Sequence, residues 1–150
     1  MQYRIIPDVV RDQNVRLLPA DGTVMDAVRY MAIRKIGAVL IGKSGILEGI
    51  FSERDLLMRV VAKGLDPDQT ILGRVMTPKP ETVTPEQTAS EALERMHKGG
   101  FRHLPVVAAD GRVAGIVALR DLNAVVRRQL EDELRERDAY IQDAGYGATH

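Results

Sequence analysis

A chain of 150 residues can bury one sizeable core, and 45% apolar with 28% charged residues is ordinary for a globular protein. Basic and acidic residues number 21 each, so no net positive charge favours nucleic acid, and the absence of cysteine excludes disulfides and thiolate metal sites. No apolar run reaches the roughly 18 residues of a membrane span, and the charged, proline-containing N-terminal segment does not fit a signal peptide. We therefore expect a cytoplasmic protein with neither nucleic acid nor a membrane as partner.

The first part of the chain predicts one α/β unit. A short strand is expected over residues 15–18. Thr23 then begins a helix, because an acidic residue three positions later completes a capping box and apolar residues recur behind it at helical spacing. Apolar runs at 38–41 and 46–51 flank a glycine-containing turn and predict a β-hairpin, and Ser52 opens a second helix. The order is β-α-β-β-α.

The next 11 residues, 70–80, predict a linker in which ILGRVM forms a short helical turn and TPKP ends it. A second unit of the same order follows, with a strand at 82–84, a helix opened by Thr88, and a second helix opened by Ala118. The expected division is 1–69 for the first unit with the N-terminal segment, 70–80 for the linker, 81–128 for the second unit and 129–150 for a C-terminal helix and tail.

The second unit repeats the first in sequence as well as in order. Equivalent residues differ by 65 positions before the hairpin turn and by 66 after it, and turns are where a true repeat tolerates an insertion. The matched pairs are Thr23/Thr88, Ala27/Ala92, Met31/Met96, Gly45/Gly111, Gly49/Gly115, Ile50/Ile116, Arg54/Arg120, Asp55/Asp121 and Leu56/Leu122. We expect the two units to pack as one pseudo-twofold globule.

A long helix is predicted over residues 122–141, because Leu122, Val126, Leu130 and Leu134 recur every four residues among i,i+4 charge pairs. Two interpretations stay open for this helix: a solvated helix that covers its own core, or a contact in a dimer. Residues 144–150 are expected to form a loose tail.

The repeated motifs resemble those of paired CBS (cystathionine β-synthase) domains, also called a Bateman module. The carriers are GIFSERDL and GIVALRDL, then RKIGAVLI and GGFRHLPVV before the hairpins, and RVMTPKPETV at the junction. The likeness covers about residues 15–128, and the whole chain is similar to small stand-alone bacterial CBS-pair proteins. It implies an α/β (α+β) fold of tandem β-α-β-β-α repeats packed as a pseudo-twofold module with an extended C-terminal helix. It also implies an adenosyl-ligand cleft between the repeats and frequent assembly into homodimers.

Two aspartates, Asp55 and Asp121, fall in the first turn of the second helix of each unit. A carboxylate there can cap the helix by accepting backbone N–H bonds, or it can accept both hydroxyls of a ribose. The resemblance implies the ribose role for both.

The units differ where a phosphate would bind. Helix N-termini suit anions, and Ser52 adds a hydroxyl donor that its counterpart Ala118 lacks. Gly37 and Ala38 stand in the first unit where the second has Arg102 and His103. The expected phosphate ligands are Ser52, Arg54, Arg102, His103 and Arg120, although the arginines could equally form surface pairs and His103 could be a satisfied, partly buried histidine. We therefore expect two unequal pockets, one of which favours the phosphate end of its ligand.

The adenine base is expected to bind mainly through backbone groups near residues 17–19 and 82–84, beside apolar walls. The candidate base-binding residues are Leu18, Ile36, Gly37, Ala38, Thr82, Thr84, Leu104 and Pro105.

We expect a regulatory module that binds AMP, ADP, ATP or NAD(H) and responds by rearranging its halves or its dimer, a change read by an unidentified partner protein. No phosphate-binding loop, dinucleotide fingerprint or nucleophile elbow is present, and the three histidines lack metal-ligand spacing, so neither catalysis nor a catalytic cofactor or metal is expected. The alternative is a structural or protein-interaction CBS module without a physiological ligand.

Overall fold

The computed structural model describes the backbone of residues 2–11 and 14–149, with side chains as far as Ile141. It has the mixed α/β architecture expected from the sequence. The strands are β1 (Leu17–Leu18), β2 (Ala38–Lys43), β3 (Ile46–Ser52), β4 (Thr77–Pro78), β5 (His103–Val107) and β6 (Val113–Ala118). The helices are α1 (Val24–Arg34), α2 (Glu53–Asp55), α3 (Leu72–Val75), α4 (Ala89–Gly99) and α5 (Leu119–Thr149), and α2 continues directly into a π-helical segment, Leu56–Val61.

The first long helix of each repeat begins at the threonine that the sequence indicates. The Thr23 hydroxyl accepts the Asp26 N–H at 3.1 Å, while the Asp26 carboxylate accepts the Thr23 N–H at 3.2 Å. Thr88 caps α4 in the same way through the Glu91 N–H. Each helix ends at a residue in the left-handed conformation, Lys35 or Gly100.

Each repeat contributes one sheet. In the first, the strand order is β1-β2-β3-β4, with β1 parallel to β2 and the other pairs antiparallel. In the second, β5 and β6 form an antiparallel hairpin, and the expected first strand is reduced to a parallel bridge between Val83 and Val106. The two hairpins meet, because Ile46 bridges Arg112 and the Val113 N–H donates to the Gly45 carbonyl at 3.0 Å.

Two separate apolar cores lie under these sheets. The first is built around Phe51, Val24 and Val60, which are fully buried. The second is built around Leu104 and Leu122. The repeat in sequence is therefore a repeat in packing, with one core for each unit.

Residues 70–80, expected as a linker, pack against the first repeat. Leu72 and Val75 of α3 are buried in the first core, and Thr77–Pro78 forms β4 along the edge of β3. The N–H groups of Leu72 and Gly73 donate to the carbonyls of Gly22 and Ala20, both at 2.8 Å. This segment holds a fixed position on the first sheet.

The N-terminal segment, which the sequence analysis grouped with the first unit, packs instead against the second. Ile5 is fully buried in the second core, and its N–H donates to the Gln87 carbonyl at 2.9 Å. The Tyr3 hydroxyl donates to Asp132 of α5 at 2.9 Å, and this bond raises the pKa of the phenol. The apolar residues here have no counterpart in the repeat, so the repeat pattern could not show which core they enter.

Helix α5 joins the second helix predicted after Ala118 to the long helix predicted over residues 122–141, and it extends beyond the expected C-terminal end. It begins at Leu119 and stays helical through Thr149, so the loose tail expected from residue 144 is wrong for 144–149, and His150 lies outside the described residues. Leu122 and Val125 anchor its first turns in the second core. Among the described residues, no helix is long and apolar enough to cross a membrane.

Candidate functional site

The corner between β3 and α2 places Ser52 and Asp55 in mutual contact. The Asp55 carboxylate accepts the Ser52 N–H at 2.9 Å and the Ser52 hydroxyl at 3.2 Å, while the Asp55 N–H donates to the Ser52 hydroxyl oxygen at 3.3 Å. This is a complete capping box. The Ser52 hydroxyl, predicted as a phosphate donor, is used within the chain.

The second carboxylate oxygen of Asp55 also has partners. Oδ1 accepts the Thr77 hydroxyl at 3.4 Å and lies 3.5 Å from Nε of Arg59. Asp55 is only 9% exposed. The capping role considered from the sequence is therefore present, and Asp55 additionally ties the first corner to β4.

The equivalent corner in the second repeat is more open. The Asp121 carboxylate accepts the Ala118 N–H at 3.2 Å through Oδ2, and Ala118 has no hydroxyl to add. Within the described part of the chain, Oδ1 of Asp121 has no hydrogen-bond partner. Asp121 thus keeps an acceptor that Asp55 has already used.

A backbone hydrogen bond fixes the residue before each hairpin against the start of the following helix. The Glu53 N–H donates to the Gly37 carbonyl at 3.0 Å, and the Leu119 N–H donates to the Arg102 carbonyl at 2.8 Å. Arg102 is thereby held next to the N-terminus of α5. An arginine beside free N–H groups is a favourable arrangement for an anion.

The two repeats meet at this level through Gly37 and His103. A Cβ atom on Gly37 would lie 3.4 Å from Cε1 of His103 and 3.3 Å from Oε1 of Glu53. Glycine therefore permits a close approach between the first repeat and the His103 imidazole. Gly37 and His103, both named from the sequence, are thus brought together where the two repeats meet.

The His103 imidazole lies among charges of both signs. Burial lowers its pKa, the carboxylates of Glu53 and Asp121 act in the opposite direction, and the guanidinium groups of Arg102 and Arg120 reinforce the lowering. A phosphate would add negative charge beside His103 and favour its protonated form. The group Arg102, His103, Arg120 and Asp121 is called the second-corner cluster below.

Glu53 is a member of this site that the sequence analysis missed. Its counterpart 66 residues later is Leu119, so an acidic residue stands in one repeat where the other has an apolar one. Comparing equivalent positions of the two repeats, which showed the difference between Ser52 and Ala118, could also have shown the difference between Glu53 and Leu119.

The remaining predicted residues fall into two groups. Arg54, Arg102 and Arg120 are exposed, as a phosphate contact requires. The side chains of Leu18 and Leu104 belong to the two cores, and Ala38 and Pro105 are also buried. The side chains of those four residues are therefore not available as walls of an open cleft.

The segment expected to bind the base through its backbone is partly used by the chain. The Val83 N–H donates to the Pro105 carbonyl at 3.0 Å, and the Thr84 N–H donates to Gln87 at 2.9 Å. The Thr82 carbonyl accepts a hydrogen bond from Arg95. Ile36, by contrast, keeps an exposed side chain.

An open cavity of about 380 Å³ lies in the first repeat, and Glu53, which also acts on His103, is part of its lining. It runs between α1 and the start of the second helix, with Lys35 and Glu53 at its polar edge and Val28, Met31, Ile36 and Leu56 along its apolar walls. We call it the first-repeat groove. Within the residues that the structure describes, no group of three or more His, Asp or Glu side chains is arranged to hold a metal ion.

Comparison with known proteins gives the family. The model of the CBS domain matches residues 6–62 and again residues 72–128. A CBS domain-containing protein of Arabidopsis thaliana is 46% identical over 106 residues, which is 70% of this chain, although the chain spans only 18% of that relative's length.

Solved structures agree with this result. A CBS domain protein from Pyrobaculum aerophilum complexed with AMP superposes with a TM-score of 0.74 at 25% identity, covering 83% of this chain and 96% of that one. The protein CBSX2 in complex with AMP superposes with a TM-score of 0.69 at 26% identity, covering 87% of this chain and 98% of that one.

Proposed function

Since this chain belongs to the CBS domain family, we propose that it is a non-catalytic regulatory module that binds an adenine nucleotide between its two repeats. The candidate ligands are AMP, ADP, ATP and NAD(H). Two structurally similar proteins are complexed with AMP, which supports this class of ligand. The proposal includes a homodimer in the cytoplasm whose rearrangement is read by a partner protein.

The second-corner cluster is the observation that carries the proposal. Three cationic or protonatable side chains surround the N-terminus of α5, and a carboxylate with an unused oxygen lies in its first turn. Arg102, His103 and Arg120 bind the phosphate, while Asp121 accepts a ribose hydroxyl. The close approach of Gly37 to the His103 imidazole places the first repeat directly beside this cluster.

The first corner is the weaker of the two sites in this proposal. For Asp55 to accept a ribose hydroxyl, it has to exchange Thr77 or Arg59 for the ligand. Ligand binding there would loosen the contact between α2 and β4. This coupling gives the first corner a means of signalling, because β4 leads directly into the second repeat.

The closed hydrogen bonding of Asp55 also favours the alternative function, an interaction module without a physiological ligand. In that case both aspartates serve only as helix caps. The two functions differ in one measurable property, which is stabilisation by nucleotide.

Thermal unfolding with AMP, ADP, ATP, NAD⁺ and NADH, each at millimolar concentration, tests the proposal. A ligand at one hundred times its Kd adds about 2.7 kcal/mol of stability. Adenosine and GMP serve as controls for the phosphate and the base. We expect Arg102→Ala to reduce the shift with AMP and to leave any shift with adenosine unchanged.

Two results would count against this function. The absence of a shift with every nucleotide would leave the interaction module as the better description. Chemical conversion of an added nucleotide by the protein, detected by chromatography, would contradict the non-catalytic role.

A further inference from the structure

The first-repeat groove is an incompletely covered core. Leu56 and Leu122 are equivalent residues of the two repeats, yet Leu122 is fully buried while Leu56 is half-buried and lines the groove. In the second repeat, α4 and the first turns of α5 share one core, which closes the equivalent space. Within residues 28–36 and 53–63, the two segments that supply the groove lining, the exposed large apolar side chains are Ile33, Ile36, Leu57, Met58 and Val61.

Helix α5 carries a second unpartnered apolar surface. At about 100° per residue, Leu130, Leu134, Arg137 and Ile141 fall within roughly 60° of one another on the helix. The three apolar members are 55–58% exposed. We call this row the α5 stripe.

The α5 stripe points away from its own second core. Asp132 lies about 200° from Leu130 around the helix, and it is Asp132 that bonds the Tyr3 hydroxyl of the N-terminal segment. Because α5 is one continuous helix anchored at Leu122 and Val125, the stripe cannot fold back onto the first repeat of the same chain. A second molecule is needed to cover it.

The two surfaces are complementary in charge. Residues 28–36 and 53–63, which border the groove, contain six basic and two acidic residues, and one of the acidic ones, Asp55, is buried and paired with Arg59. Residues 129–141 of α5 contain five acidic and two basic residues. Glu131, Glu133 and Asp138 flank the stripe by helical position.

We propose that the α5 stripe of one copy docks into the first-repeat groove of a second copy, and the reverse, forming a reciprocal dimer. Each chain has one groove and one stripe, so a twofold arrangement covers both in both copies and closes the assembly. The stripe spans about 16 Å from Leu130 to Ile141, so it is long enough to cover the roughly 9 Å of α1 between Val28 and Arg34 that borders the groove. This inference specifies the surfaces of the homodimer in the proposed function and requires no nucleotide.

Engineered cysteines test which surfaces meet, and the chain has no cysteine of its own. Ile33→Cys and Leu134→Cys alter exposed side chains, 79% and 55% accessible, so folding should be retained. Under mild oxidation without nucleotide, we expect the double variant, and an equimolar mixture of the two single variants, to form a disulfide-linked dimer. Each single variant alone should stay unlinked, and Glu94→Cys combined with Leu134→Cys controls for random collision.

Other crosslinking results would overturn the proposal in distinguishable ways. Efficient linking of Leu134→Cys alone would mean that the α5 helices pair with each other. Linking of Ile33→Cys alone would mean that two first-repeat grooves face each other. In both cases the homodimer of the proposed function would survive, whereas a parent chain that is monomeric by light scattering would remove both.

A second measurement does not depend on disulfide geometry. A reciprocal dimer has two equivalent groove–stripe contacts. Leu134→Glu alters the stripe in both contacts and Ile33→Glu alters the groove in both, so each should weaken self-association on the order of a hundred-fold. Mixing the two variants leaves one intact groove and one intact stripe in each mixed pair. The mixture should therefore contain more dimer than either variant at the same total concentration, and no gain on mixing would contradict reciprocal docking.

Discussion

Asp55→Ala is expected to lower the thermal stability of the unliganded chain far more than Asp121→Ala, although the two aspartates are equivalent in the repeat. The change at Asp55 removes the acceptor for the Ser52 N–H, a cap contribution of about 1 kcal/mol. It also removes the acceptor for the Thr77 hydroxyl, which for a long bond to a charged group is worth about 1.5 kcal/mol. The ion pair with Arg59 adds little, since the Arg59 side chain is 45% exposed.

These terms give a loss of about 2.5 kcal/mol for Asp55→Ala, against about 0.5–1 kcal/mol for the single Ala118 N–H bond of Asp121. In a chain of this size 1 kcal/mol corresponds to a change in Tm of about 2–4 °C. The expected decreases in Tm are therefore about 5–10 °C for Asp55→Ala and about 1–4 °C for Asp121→Ala.

Circular dichroism melts at neutral pH without nucleotide measure this difference. Asp26→Ala is the matched control, because Asp26 completes a capping box in α1 but, within the residues that the structure describes, has no contact like that of Asp55 to Thr77. Its Tm should decrease by about as much as that of Asp121→Ala. Equal losses at Asp55 and Asp121 would refute the inference that the first corner is closed by structural bonds and the second is free for a ligand.

Two further predictions concern His103 and the cores. Because burial lowers the pKa of His103 below its usual value near 6.5, the unfolded state binds more protons there, so stability falls as pH decreases below about 6.5. His103→Gln should flatten this part of a Tm profile recorded between pH 5 and 7.5, and an unchanged slope would contradict the assignment. Leu122→Ala should lower the free energy of unfolding, measured by urea denaturation, by about 3–5 kcal/mol. Leu56→Ala should lower it by less than half of that, because only Leu122 is fully enclosed. Equal losses would mean that the first-repeat groove is closed in solution.

The parts of the fold that were predicted correctly are those fixed by residues close together in sequence. Thr23 and Thr88 cap their helices through residues three positions away, and both hairpins form around glycine-containing turns. Because the sequence repeats, the β-α-β-β-α order predicted for one unit also applies to the equivalent residues of the other. Offsets of 65 and 66 residues are enough to identify equivalent corners without knowing how the halves pack.

The parts that were missed depend on residues distant in sequence. Thr77 reaches Asp55 only because residues 77–78 add a strand to the first sheet, 22 positions further along the chain. Glu53 approaches His103 only because the two repeats meet at Gly37. A periodic pattern shows which face of an element is apolar, but it does not show which distant segment covers that face.

The same limit explains the candidate base-binding residues. Leu104 and Pro105 were chosen as apolar walls of a ligand cleft, yet apolar strand residues satisfy a core equally well, and both are buried. Sequence alone cannot separate these uses because both need the same side chain. The polar asymmetries at Gly37, Arg102 and His103 were more informative, since a charged residue at the end of a buried strand has fewer structural roles.

The N-terminal segment has a consequence for how the chain reaches its folded state. Ile5 precedes the first repeat but completes the core of the second, and Tyr3 reaches α5 across 129 positions of sequence. The first core draws on one continuous stretch of chain, while completing the second requires closing a long loop to the N-terminal segment, and such long loop closures slow folding. The two repeats are therefore not interchangeable, because a fragment that begins at residue 81 would lack Ile5 and leave the second core incomplete.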